Sequence, residues 1–217
     1  LAGADAMVVA WEAEETSMKE LFASKKKIAA FAAREIFGAV AGADGKNEPY
    51  YTRAKMAGHA TNYGAWPGTV AKACGISMRD AEHFQQKWFE IFPGIKKWHE
   101  RIEYELQTRR AVQNKFGYTK RFLGRIDGAL PEALAWVPQS TVAIVATKAM
   151  DILDLNFPLA RLYLQVHDSL VFGLPLSRPA GYVQEILDAV LISIPYDSPL
   201  IIPWGVKSSV NNWGQCG

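Results

Sequence analysis

Three observations on the sequence predict an α+β fold. Residues 4–107 carry apolar side chains at helical spacing in successive runs. Alternating stretches rich in β-formers are confined to the second half. A long apolar helix pattern, 131–155, lies among them. Helices first and a small antiparallel sheet later is the α+β pattern, not the regular alternation of an α/β chain.

Each element has its own local reason. In 4–37, Val8, Val9 and Trp11 share an apolar face, followed by Met18, Leu21 and Phe22, then Ile28, Phe31, Ile36 and Phe37. Residues 38–47 are the first clear loop. Asn47-Glu48-Pro49 marks a helix start, with Asn47 as cap and proline in the first turn. That helix stops at Gly64, with Pro67 beyond it. Ser77-Met78-Arg79-Asp80 resembles a capping box that opens a helix through Trp88. Phe92-Pro93-Gly94 breaks it, and 95–107 resumes helical spacing. Residues 109–125 hold six Lys/Arg and no Asp or Glu, with Phe116, Tyr118 and Phe122 interleaved, and read as short strands and turns. Residues 162–174 read as two strands about a tight turn at His167-Asp168-Ser169. A helix over 180–191 and a last strand near 201–208 complete the chain.

Composition removes several function classes. With 217 residues, 49% apolar and 12% aromatic, the chain buries a real core and is not disordered. No apolar stretch approaches a membrane span, so no membrane partner is expected. The opening LAGADAMVVAWEAEE has no basic leader and is not read as a signal peptide. Two cysteines without a CxxC exclude a disulfide scaffold and a cysteine-rich zinc site, and suit a reducing cytoplasm. A net charge of +2 says nothing about partners.

Three places could carry chemistry. A carboxylate at the 167–169 turn stands at a sheet rim, where a hard cation can be held. Two-metal phosphoryl chemistry needs at least one further carboxylate from elsewhere. The plainer alternative is an Asx-turn with a neighbouring histidine. Tyr51, Lys55, His59 and Tyr63 fall four apart and line one helix face. Such a face suits phosphate and base, or is simply a solvated amphipathic helix. The 109–125 stretch has the composition of a nucleic-acid backbone surface, or of a solvated arm. Lys25, Lys26 and Lys27 form a weaker basic run. No P-loop, GxGxxG, GxSxG or HExxH occurs.

Taken together, several blocks resemble the family A DNA polymerases. QVHDS (165–169) is similar to their motif C, and AKMAGHATNYG (54–64) to motif B. FPGIKKW (92–98), NKFGYTKRFLGR (114–125), PQSTVAIVATKAM (138–150) and NNW (211–213) are similar to further blocks, in the right order. The resemblance covers essentially the whole chain, with a phage-like flavour. It implies a partial right-hand architecture: residues 1–13 as a palm segment, 14–127 as fingers with an O-like helix over 49–64, and 128–217 as C-terminal palm. The implied function is template-directed DNA polymerisation with two magnesium ions. The alternative is an inactive remnant that binds DNA or nucleotide only. A His-Asp phosphohydrolase is disfavoured, because the pair lies between strands.

The resemblance also implies roles. Asp168 is a metal-binding carboxylate, with His167 beside it at the primer terminus. Lys55 holds the incoming triphosphate, His59 faces its sugar, and Tyr63 guards the pocket. Gln139, Asn114, Lys120, Arg121 and Arg125 meet DNA. Ungapped alignment puts the second metal-binding aspartate just before Leu1 and makes Asp5 a short stand-in for a glutamate near the sugar. A rival register makes Asp5 itself the ligand. The family's triphosphate-contacting histidine falls at Ala29, its O-helix arginine at Tyr51, and the glutamate after the motif C aspartate at Ser169. Arg53 or the 25–27 lysines are expected to compensate in part. Implied partners are primer-template DNA, a dNTP, and an N-terminal thumb, palm and possibly exonuclease region in cis. The implied location is the cytoplasm of a bacterial or phage-infected cell.

Overall fold

A computed structural model describes residues 1, 3–38 and 48–216. The described residues form nine helices, six short strands and a terminal 3-10 turn at Trp213–Gln215. The helices are α1 (Ala4–Glu12), α2 (Thr16–Ala23), α3 (Ile28–Phe37), α4 (Tyr50–Asn62), α5 (Pro67–Cys74), α6 (Met78–Ile91), α7 (Pro93–Arg109), α8 (Leu130–Asn156) and α9 (Tyr182–Ala189). The strands pair as three separate antiparallel ladders: β1 (Ala111–Gln113) with β2 (Thr119–Arg121), β3 (Arg161–Val166) with β4 (Ser169–Gly173), and β5 (Ser193–Ile194) with β6 (Leu200–Ile201). The α+β class follows, with every strand in the second half.

Local departures have local causes. The helical run 4–37 is cut twice, where Glu14 (φ 51°) and Lys25 (φ 55°) take a left-handed backbone. Asn47 and most of the 38–47 loop lie outside the described residues. The last strand ends at Ile201, and 202–208 lack regular structure: Pro203 offers no N–H for a ladder. Ser77 caps α6 as its sequence indicates, its Oγ accepting from Asp80 N at 3.1 Å. Pro138 lies inside α8, where it removes one helical N–H.

The chain divides into two compact units. One comprises Ala6–Gln113 and Thr119–Pro138. Its core is built from the apolar stripes of α6 (Phe84, Trp88) and α7 (Ile95, Trp98, Ile102, Leu106), with Phe92 at their junction. Each such side chain contributes about 1.5–3 kcal/mol on burial. Two buried carboxylates tie the unit's start to α7. Glu12 Oε2 accepts from Arg101 at 2.7 Å. Glu15 Oε2 accepts from Gly94 N at 2.7 Å, where a carboxylate also meets the positive end of the helix.

The other unit comprises Leu1–Asp5, Asn114–Tyr118 and Gln139–Gly217. Ala149 and Leu153 of α8, with Phe157 just beyond its end, pack with Ile186 and Val190 near α9, and Leu162, Leu170 and Phe172 of the β3–β4 hairpin close that core.

Candidate functional site

In the larger unit, α4 is two-sided. Ala54, Ala57, Gly58, Thr61 and Asn62 are buried. Lys55 and His59 are exposed, and Tyr51, Arg53 and Tyr63 are half-buried. Small residues on the inner face allow close approach: a Cβ at Gly58 would stand 2.5 Å from Trp88 Cη2. On the outer face the His59 and Tyr63 rings meet edge-to-face at 4.6 Å. Lys27 Nζ lies 6.0 Å from the centre of the Tyr51 ring, so the 25–27 run reaches α4. The Cys74 thiol lies 3.8 Å from the Arg53 carbonyl. Burial pushes that thiol up, against the pull of the Arg53 charge.

The C-terminal end of α4 is fixed from outside. Trp88 Nε1 donates to Asn62 Oδ1 at 2.9 Å, and His99 Nε2 lies 2.8 Å from the Asn62 carbonyl. A carbonyl only accepts, so this nitrogen carries the hydrogen. Gly64, at φ 68°, turns the chain immediately afterwards. Burial holds the His99 imidazole below its ordinary range, while the Asn62 carbonyl and the Glu100 charge pull upward.

The lowered His99 pKa fixes the sign of a pH effect. Folding favours neutral His99, so its contribution is complete above the unfolded value of about 6.5 and is lost as pH falls toward the lower folded value. Thermal melts between pH 8 and pH 5 should show a destabilisation on acidification that His99→Gln reduces. An unchanged acid dependence in that variant would exclude His99 as its source.

In the smaller unit, the turn between β3 and β4 is closed by His167 and Asp168, with Val166 opposite Ser169. His167 is exposed and sits at φ 53°. The Asp168 side chain is 39% exposed, with one carboxylate oxygen 3.6 Å from the Leu1 ammonium. That ammonium donates to the Asp168 carbonyl at 3.2 Å. Asp5 is half-buried in the first turn of α1. Among the described residues, no three of His, Cys, Asp and Glu gather as a metal-holding group.

The predicted DNA-contacting residues differ in how they are held. Asn114 is 4% exposed. Its Oδ1 accepts from Phe116 N and Tyr118 N, both at 3.1 Å, and its Nδ2 donates to Ser140 at 2.9 Å. Its amide therefore shapes the tip that presents Lys115, and Lys148 lies 5.5 Å from the Phe116 ring centre. Gln139 is exposed. In the larger unit Lys120 is paired with Glu132, whereas Arg121 and Arg125 are exposed.

The sequence matches the DNA polymerase family A description over residues 5–215. The chain belongs to DNA polymerase family A. It is 30% identical over 207 residues to DNA polymerase I of Bacillus caldotenax, covering 87% of this chain and 23% of the relative. It is 31% identical over 162 residues to the thermostable DNA polymerase I of Thermus filiformis, covering 70% of this chain and 19% of that one. The chain thus spans about a fifth of the length of these curated relatives. Its fold is that of the polymerase domain of Pol1 from M. smegmatis, solved with DNA primer-template and dNTP: TM-score 0.76, 20% identity, 88% of this chain and 35% of that one.

In this family A chain, residues 54–64, which resemble motif B, form most of α4 and its exit turn, and residues 165–169, which resemble motif C, span the β3–β4 turn. Sequence reasoning missed Asn62, Trp88 and His99 as a linked group. The available signal was an asparagine ending an inner helix face of small residues, which needs hydrogen-bond partners wherever it is buried.

Proposed function

We propose that this chain is the fingers and C-terminal palm portion of a template-directed DNA polymerase. Residues 14–127 serve as fingers, and 1–13 with 128–217 as palm. The observation that carries this reading is the family A match over residues 5–215, with Lys55, His59 and Tyr63 on one face of α4. The reaction is attack of a primer 3′-hydroxyl on the α-phosphate of a dNTP. A new P–O bond forms, the α–β bridge breaks, and pyrophosphate leaves.

Lys55 supplies a mobile point charge for the triphosphate, and Arg53 and Lys27 add to the cationic field on that side. The His59–Tyr63 pair offers an edge-to-face wall for sugar and base, and Asp5 stands in near the sugar. Gln139, Arg121, Arg125 and, once released from Glu132, Lys120 meet the DNA. Asn114 acts through the tip it braces. His167 faces the primer terminus.

Magnesium is the expected ion of this chemistry. Among the described residues Asp168 gathers no group of three metal-ligating side chains, so these residues by themselves do not fit a two-ion site. A residue preceding Leu1 in a longer chain extends from a nitrogen 3.6 Å from the Asp168 carboxylate. An aspartate there meets the need. A second reading, as a binding-only remnant, is favoured by the departures from the family pattern at Ala29, Tyr51 and Ser169.

The experiment is to read the codon before Leu1 and to assay primer extension by the full in-frame protein. The expected result is an aspartate codon and divalent-cation-dependent extension that Asp168→Asn abolishes. Another residue at that position, with DNA binding but no extension, would establish the remnant instead.

A further inference from the structure

The end of α4 carries a feature that the proposed chemistry does not use. Asn62, its last residue, is 5% exposed, yet both its oxygens accept hydrogen bonds from other helices. One donor is the α6 indole of Trp88, the other the α7 imidazole of His99. The last carbonyls of a helix have no partner within it, so an external donor fixes an end that otherwise frays. The donors are themselves held. Phe84 and Phe92 pack on Trp88 with ring centres at 5.6 and 4.9 Å, and Phe89 meets His99 edge-on at 5.8 Å. Gly58, one turn earlier, lets the indole lie against the α4 backbone. Tyr63 follows Asn62 directly, and its N–H is bonded to the His59 carbonyl at 3.3 Å. A displacement of Asn62 therefore passes straight into the Tyr63–His59 pair.

We propose that Asn62, Trp88 and His99 form a positioning clamp that sets Tyr63 against His59 and thereby the affinity for a deoxynucleoside triphosphate. The nucleotide part rests on the polymerase reading of α4; the clamp itself does not. Any movement of Tyr63 then carries α6 and α7 with it.

The test separates the two. His99→Leu removes the donor, and His99→Gln restores an N–H. The first readout is the proton NMR signal of the His59 ring, shifted by the Tyr63 ring current. The chain has four histidines, so His59→Gln assigns it. The expected result is that H99L moves this signal toward that of free histidine and H99Q returns it. The second readout is the affinity for dTTP in the presence of primed template. It falls about tenfold in H99L, the scale of one lost hydrogen bond, and recovers in H99Q. A folded H99L with an unmoved His59 signal overturns the clamp. A moved signal with unchanged dTTP affinity overturns its nucleotide role. A full in-frame wild-type protein that binds no dTTP on primed template overturns the polymerase reading, and the NMR arm still decides the clamp. If H99L does not fold, Trp88→Phe removes the other donor and is read the same way.

Discussion

Gly58→Ala lowers the melting temperature, although alanine is the better helix former. On an open helix surface this exchange gains up to about 1 kcal/mol. Here the new methyl would lie 2.5 Å from Trp88 Cη2 and 2.7 Å from Cζ3, and neither side can yield cheaply. Trp88 is 3% exposed, stacked on Phe84, edged by Phe92 and bonded to Asn62. Overpacking of such a site costs about 1–3 kcal/mol, and a displaced indole strands the Asn62 amide oxygen as well. The expected net loss is about 2 kcal/mol, or roughly 4–8 °C for a chain of this size. Differential scanning calorimetry of the variant decides it, and a raised melting temperature would contradict the described packing. Trp88→Leu in the same chain should recover part of what Gly58→Ala loses, because the two positions are in contact.

Lys55→Ala is expected to reduce single-nucleotide incorporation by about 10²–10³-fold, the scale of losing one fixed charge-stabilising group in a reaction centre. Lys55 is exposed on α4 with its neighbours Ala54 and Ala57 buried, so the fold hardly depends on it. Stability should move by less than about 0.5 kcal/mol. Affinity for primed template should stay within a few-fold, whereas the response to dNTP concentration collapses. Lys55→Arg keeps the charge and should retain more activity than alanine. Rapid-quench incorporation by the full in-frame protein provides the measurement. A Lys55→Ala enzyme within threefold of wild type would remove Lys55 from the triphosphate site.

Much of the fold was legible because its signals are short-range. Ser77 and Asp80 are three apart, and they close the predicted cap. The tight turn expected at 167–169 is present, shortened to His167 and Asp168 because Ser169 already pairs with Val166. The apolar run after Pro131 became α8 nearly end to end. What escaped prediction was long-range or against local preference. Nothing in the sequence of Glu14 or Lys25 announces a left-handed backbone. Glu15 caps a helix that begins 78 residues later. The exposed face of α4 was legible from its four-residue spacing. Its anchorage was not, since Asn62 is 26 residues from Trp88 and 37 from His99. The Leu1 ammonium and Asp168 are separated by 167 residues and meet only through the fold.

The three-residue anchorage of α4 also shapes how such a sequence can drift. Asn62 uses two acceptors, and each partner supplies one donor, so any single exchange at 88 or 99 that brings no N–H leaves an acceptor of Asn62 unmet. Substitutions at 62, 88 and 99 are therefore non-additive, and the first step away is the costly one. Lineages that abandon the asparagine should abandon the indole and imidazole with it, trading all three for an apolar seam. A combinatorial library randomised at these positions would return them as a block, inherited together or replaced together.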